Sequence, residues 1–134
     1  MQTEFEIATR GVGMYEVTRE VAGWLPDGAD GLLTLMVRHT SASLLIQENA
    51  DPDVQVDLLG FLDRFVPRGM DWLTHVAEGP DDMPAHIKAA VLPVSVQIPV
   101  AAGRMRLGTW QGIYLVEHRD AQHRRRVAAL FQAI

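Results

Sequence analysis

Residues 3–9 alternate polar and apolar, with Phe5 and Ile7 on one side, the period-two signature of a half-buried strand; Gly11 and Gly13 interrupt it. From Tyr15 to Leu25 the spacing changes. Val17, Val21, Trp24 and Leu25 recur at helical intervals, and Pro26-Asp27-Gly28 ends the run, so a short amphipathic helix is predicted there. Residues 31–37 are almost continuously apolar, as in a strand covered on both faces. After the polar bend 38–43, Leu44-Leu45-Ile46 forms a second apolar run, which either pairs with the first as a hairpin or continues it as a bent strand. Asp51-Pro52-Asp53 is a helix start: an N-cap, a proline at the first helical position and an acid complementing the dipole. Val54, Leu58, Leu62 and Phe65 then keep helical spacing until Pro67 and Gly69. Pro84 is read as the first helical position of a shorter helix reaching Val91.

Beyond Pro93 the period returns to two. Val94, Val96 and Ile98 alternate with polar residues, Ala101-Ala102-Gly103 makes a turn, and 104–107 and 110–117 read as further strands of an antiparallel meander. The segment 124–134 fits either a strand or a helix; a strand added to the meander is the expectation. Strands interleaved with helices give an α+β fold, with two packed antiparallel sheets in a sandwich-like pair and two to three helices, in a single domain over 1–134.

Composition narrows the chemistry. A net charge of −5 disfavours a general nucleic-acid binder, because phosphate neutralisation needs an excess of Lys and Arg. No run is long and apolar enough to span a membrane, and the N-terminus lacks the basic-then-apolar layout of a leader. There is no cysteine, so a disulfide framework and a thiolate metal site are both excluded; a cytoplasmic location is expected. Any metal has to be held by His, Asp or Glu. The triplet Arg124-Arg125-Arg126 is read as a solvated edge or an oligomer contact, with a local anion site as the alternative.

His39, His75, His86 and His118 all fall at element ends or in loops, where sites are assembled. Neutral imidazoles with carboxylates suit Zn²⁺. The ten residues between His75 and His86 match no standard local zinc spacing, and scattered surface histidines are the competing account. Between the two lie Glu78, Asp81 and Asp82, which repel an anion unless a cation intervenes. Glu48 and Asn49 have no capping duty, unlike Asp51 and Asp53, which makes them functional candidates. Gly108 and Gly112 flank Trp110 and Gln111, a sign of a bulge or close backbone approach; a core or subunit-contact tryptophan is the plainer reading.

The segments 38–46, 48–54, 75–87 and 107–114, the last containing Gly-Thr-Trp-Gln, together resemble the YjbQ-like family, whose members are associated with a secondary thiamine-phosphate synthase activity. The resemblance runs over nearly the whole chain. It implies about seven strands in the paired sheets, assembly as a homotrimer, and joining of hydroxymethylpyrimidine diphosphate to thiazole phosphate with release of diphosphate. It carries His75 and His86 over as metal ligands and His39 as a site residue, catalytic alongside Glu48 and Asn49. His118 is the further ligand candidate, although it stands where the family pattern is looser. Lys88 and Arg119 are expected to neutralise phosphate, and Trp110 and Gln111 to contact substrate. The cofactor expected is a divalent metal, zinc first and magnesium second; the partner is a small phosphorylated molecule, not nucleic acid or membrane. A metal-assisted hydrolase using Glu48 or Glu78 as base, and a non-catalytic trimeric metal- or ligand-binding protein, remain as alternatives. The C-terminus departs from the family, which ends in a β-branched strand and a Gly-Glu pair where this chain has Val127 to Ile134.

Overall fold

The structure, a computed structural model, describes all 134 residues. In chain order its elements are β1 (Gln2–Arg10), β2 (Gly13–Glu16), α1 (Thr18–Trp24), β3 (Gly31–Val37), β4 (Ala42–Glu48), α2 (Pro52–Phe65), α3 (Asp82–Val91), β5 (Ser95–Ala101), β6 (Arg104–Met105), β7 (Gln111–Glu117) and β8 (Gln122–Ala133). Two antiparallel sheets result. One has five strands in the order β1-β8-β3-β5-β6, the other three in the order β2-β7-β4. The fold is α+β, as the alternating periods predicted, with eight strands and three helices.

The inner faces of the sheets build the core. Leu33, Leu35 and Val37 of β3 meet Leu44, Ile113 and Leu115 of the smaller sheet, and Val127, Ala129 and Phe131 of β8 complete the layer. Burial in β3 alternates and Met36 is exposed, so this strand is covered on one face and not on both as its composition suggested. The strand covered on both faces is β7, where Ile113 through Glu117 are all buried. Its outer side lies under the helices: Gln55 of α2 donates to the Tyr114 hydroxyl at 3.0 Å, and α3 runs along β4.

Three sequence expectations change. Strands β3 and β4 neither pair nor form one bent strand; they belong to different sheets. The meander also breaks, because β5 and β6 stay in the larger sheet while β7 crosses to the smaller. The C-terminal segment is a strand, but it lies between β1 and β3 instead of extending the meander. Strand pairing is decided by which faces are buried together, and adjacency in sequence carries little of that information.

Capping chemistry is better preserved. Asp51 accepts from the Asp53 N–H at 2.9 Å with Pro52 opening α2. The β5–β6 turn has Ala102 at φ 52° and Gly103 at φ 77°, and a Cβ at Gly103 would sit 2.7 Å from the Gly28 nitrogen. Helix α3 begins earlier than Pro84 indicated. Asp82 is its first residue, and Pro84 sits third, still within the turn that has no N–H partner to lose. Arg124 and Arg126 are exposed, as expected of a solvated edge, but Arg125 is buried. Its Nε donates to Glu117 at 2.7 Å and its guanidinium reaches Ser41 Oγ at 2.9 Å; Thr9 also donates to Glu117, at 2.6 Å. This ion pair ties β7 to β8 across the sheets. No helix is long and apolar enough to cross a membrane.

Candidate metal centre

The loop 71–81 turns His75 back onto the start of α3. Its Nε2 lies 2.6 Å from Asp82 Oδ2. One helical turn after Asp82, His86 points its own Nε2 at the same oxygen from 3.2 Å, as residues four apart on a helix share a face. The three ligand atoms lie within 4.8 Å of one another, and the two rings stand edge to face with centroids 5.5 Å apart. The Asp82 side chain is only 3% exposed, whereas that of His75 is 46% exposed, so the group opens to solvent on the His75 side.

Its charges are organised from behind. Arg119, just beyond β7, donates from Nη1 to Asp82 Oδ1 at 2.6 Å, from Nε to Asp81 Oδ2 at 2.9 Å, and from Nη2 to the Glu78 carbonyl at 3.1 Å. One guanidinium thus fixes both the helix start and the loop. Asp81 also accepts from the Asp120 N–H at 3.0 Å, and Asp120 receives two 2.6 Å bonds from Arg68. Burial alone would raise the Asp82 carboxyl, but the His75 hydrogen bond and the Arg119 charge outweigh it and hold the group below the usual carboxylate range. Asp81 behaves likewise: burial raises it, and the Asp120 N–H and Arg119 overcome that.

The His86 tautomer is informative. Its Nδ1 lies 3.0 Å from the Thr40 carbonyl, which can only accept, so Nδ1 carries a proton. In the neutral ring Nε2 then holds a lone pair directed at a carboxylate oxygen 3.2 Å away. That geometry is unfavourable unless a cation, proton or metal, lies between. Two imidazoles, one anchored to a carbonyl through its other nitrogen, plus one carboxylate are a three-ligand set of the open kind used by catalytic zinc.

The remaining candidates divide between two ends of the smaller sheet. His39 is at the end of the His75/Asp82/His86 cluster, but its Nε2 accepts the Arg126 N–H at 2.8 Å. Burial, then the Arg125 charge, lowers its pKa, so the ring is a neutral acceptor there. His118 is not brought into the cluster. It is 2% exposed, its Nε2 lies 2.9 Å from Ser43 Oγ, and burial, reinforced by Lys88, drops its pKa to about 4. Lys88 is also buried, its pKa lowered by desolvation, on a different face of α3 from Asp82 and His86. Glu48, Asn49, Trp110 and Gln111 gather at the opposite end of the sheet: Glu48 is the register partner of Gln111, and the Asn49 N–H donates to the Trp110 carbonyl at 2.9 Å. The length of β4 separates this group from the histidines by about 20 Å. Trp110 is 62% exposed and so is not a core residue, while Gly112 does mark a close approach, since a Cβ there would meet Glu16 Oε2 at 2.7 Å. Asp82 is the member of the cluster that the sequence reading named only as one of three loop acids and did not single out as a ligand candidate. Its signal was the four-residue step to His86 at a helix start.

Residues 3–133 match the family described as UPF0047 protein YjbQ-like. The chain belongs to it. The UPF0047 protein sll1880 of Synechocystis is 47% identical over 123 residues, covering 90% of this chain and 84% of its own. The UPF0047 protein YjbQ of Escherichia coli O157:H7 is 42% identical over 134 residues, covering 98% and 96%. Among solved structures, the conserved hypothetical protein TT1486 of Thermus thermophilus superposes with a TM-score of 0.88 at 35% identity, over 97% of this chain and 99% of its own. The YjbQ-like architecture thus spans the whole chain described above, including both ends of the smaller sheet.

Proposed function

We propose that this YjbQ-like chain is a divalent-metal-dependent enzyme acting on a small phosphorylated substrate. The observation that carries the proposal is the convergence of His75 Nε2, Asp82 Oδ2 and His86 Nε2 within 4.8 Å. Zinc fits that donor set best and magnesium less well, because magnesium prefers an all-oxygen shell. When bound, such an ion stabilises negative charge on a phosphoryl oxygen or lowers the pKa of a water. The protein's own contribution is positional. The Thr40 carbonyl orients His86, Arg119 orients Asp82, and the exposed side of His75 leaves room for the substrate.

The first reaction reading is the secondary thiamine-phosphate synthase reaction, in which diphosphate leaves a hydroxymethylpyrimidine carbon as the thiazole nitrogen attacks. The paired acids Asp81 and Asp82 are matched by a single Arg119, so the site needs a further cation before it welcomes a diphosphate. The second reading is hydrolysis. It is favoured by Glu78, an exposed carboxylate 3.8 Å from His75 Nε2 that would serve as the general base; Glu48, the other candidate base, stands at the far end of the sheet. A homotrimer is part of the proposal. Trp72 and Val76 are exposed on the loop bearing His75, and Trp110 is exposed at the opposite end, so head-to-tail contact between copies would cover apolar surface at both. Incubating metal-loaded protein with the two thiamine precursors, and separately with phosphomonoester substrates, tests the reaction. Formation of thiamine phosphate that stops on chelation supports the first reading, and phosphate release that falls in Glu78→Gln supports the second. Turnover unaffected by chelation removes both.

A further inference from the structure

Beside the cluster lies a cavity of about 290 Å³ that the metal reading alone does not use. Its walls are His39, Ala42, His86, Ala89, Ala90 and Val94. The arrangement follows from helix periodicity: Asp82, His86 and then Ala89 and Ala90 succeed one another at four- and three-to-four-residue steps along one side of α3. The same imidazole that offers Nε2 to the cluster therefore forms a wall of the cavity. Apart from the two histidines and the neighbouring Thr40, the surface is alanine and valine. No charged side chain enters it. His39 brings no charge either, because its Nε2 accepts a backbone N–H and its ring stays neutral.

We propose that this cavity is the specificity pocket of the site and takes a compact apolar body, about the size of one six-membered ring, on a ligand whose anionic head sits at the His75/Asp82/His86 cluster. The inference rests on the metal reading and deepens it. The small side chains of Ala89 and Ala90 leave the space, and a leucine at either would enter it. Sugars and nucleosides are disfavoured, since the alanine and valine walls leave most of their hydroxyls without partners. A single ring or branched alkyl group gains by leaving water.

At a mildly alkaline pH, above the second ionisation of both, phenylphosphonate and methylphosphonate carry the same dianionic head and differ in the body alone. Titrated calorimetrically into zinc-loaded full-length protein, phenylphosphonate is expected to bind at least about tenfold more tightly, from the apolar area the ring buries. Ala90 is exposed on a helix, so Ala90→Leu is compatible with folding, and it is expected to bring the ratio of the two affinities close to one. Equal affinities in the parent protein overturn the inference while leaving the metal reading intact; that result also follows if a second copy of the chain fills the cavity. A ratio unchanged by Ala90→Leu overturns it as well. Failure of the protein to bind zinc, with neither phosphonate bound, overturns the metal reading and this inference together.

Discussion

His118 offers the most quantitative test of the fold around the site. It is 2% exposed, its Nε2 is bonded to Ser43 Oγ at 2.9 Å, and its pKa falls from 6.5 to about 4, chiefly through burial. In the unfolded chain the imidazole regains its ordinary value. Between the two pKa values the unfolded state takes up a proton that the folded state refuses, so acid favours unfolding. The folded pKa lies below the unfolded one; stability is therefore fully present above pH 6.5 and declines as pH falls toward about 4. The gap is about 2.5 pH units, each equivalent to about 1.4 kcal/mol, which gives a loss of about 3 kcal/mol. For a domain with about 5–15 kcal/mol in hand, that is a large fraction. Urea unfolding of the parent and of His118→Gln, measured with chelator present at several pH values from 7.5 to 4.5, reads the effect directly. Glutamine keeps a polar partner for Ser43 and does not titrate. The difference between the two stability curves should shrink or reverse by about 2.5 kcal/mol between pH 7.5 and 4.5. Parallel curves over this range would show that His118 is protonated as readily folded as unfolded, and would refute the buried neutral assignment.

Other expectations follow from the same geometry. Glu117→Gln leaves Arg125 buried without its counter-charge and should cost about 3–5 kcal/mol in denaturant unfolding, far more than Glu6→Gln at the exposed ion pair with Arg124. Arg119→Ala removes the guanidinium that holds Asp82 Oδ1 without removing any proposed ligand; zinc affinity by competition with a chromophoric chelator should fall about 10–100-fold.

Much of this fold could be read from local signals, and what could not has a physical explanation. Asp51-Pro52 announced α2 because a cap and a proline act within a few residues of themselves. The β5–β6 turn at Ala102-Gly103 was visible for the same reason. Strand partners were not, since β7 alternates no differently whether it follows β6 or crosses to lie beside β4. Arg125 looked like its neighbours Arg124 and Arg126, and only a partner eight residues back on another sheet, Glu117, makes it a buried residue. The convergence of His75 and His86 follows candidates that their element-end positions and the family resemblance single out. The third member was obscured because Asp82 stood among Glu78 and Asp81 in a loop that reads as solvated polarity. The two-ended distribution of the remaining candidates, with His39 and Arg119 near the cluster and Glu48, Asn49, Trp110 and Gln111 beyond the length of β4, required three dimensions.

His75, Asp82 and His86 are proposed to hold a divalent ion. Metal analysis by mass spectrometry of protein purified without an affinity tag tests it most directly, with His75→Ala, Asp82→Asn and His118→Gln alongside. About one zinc per chain is expected in the parent and in His118→Gln, and almost none in the other two. Parent protein that stays metal-free after zinc is supplied, or metal retained in His75→Ala and Asp82→Asn but lost from His118→Gln, would contradict it.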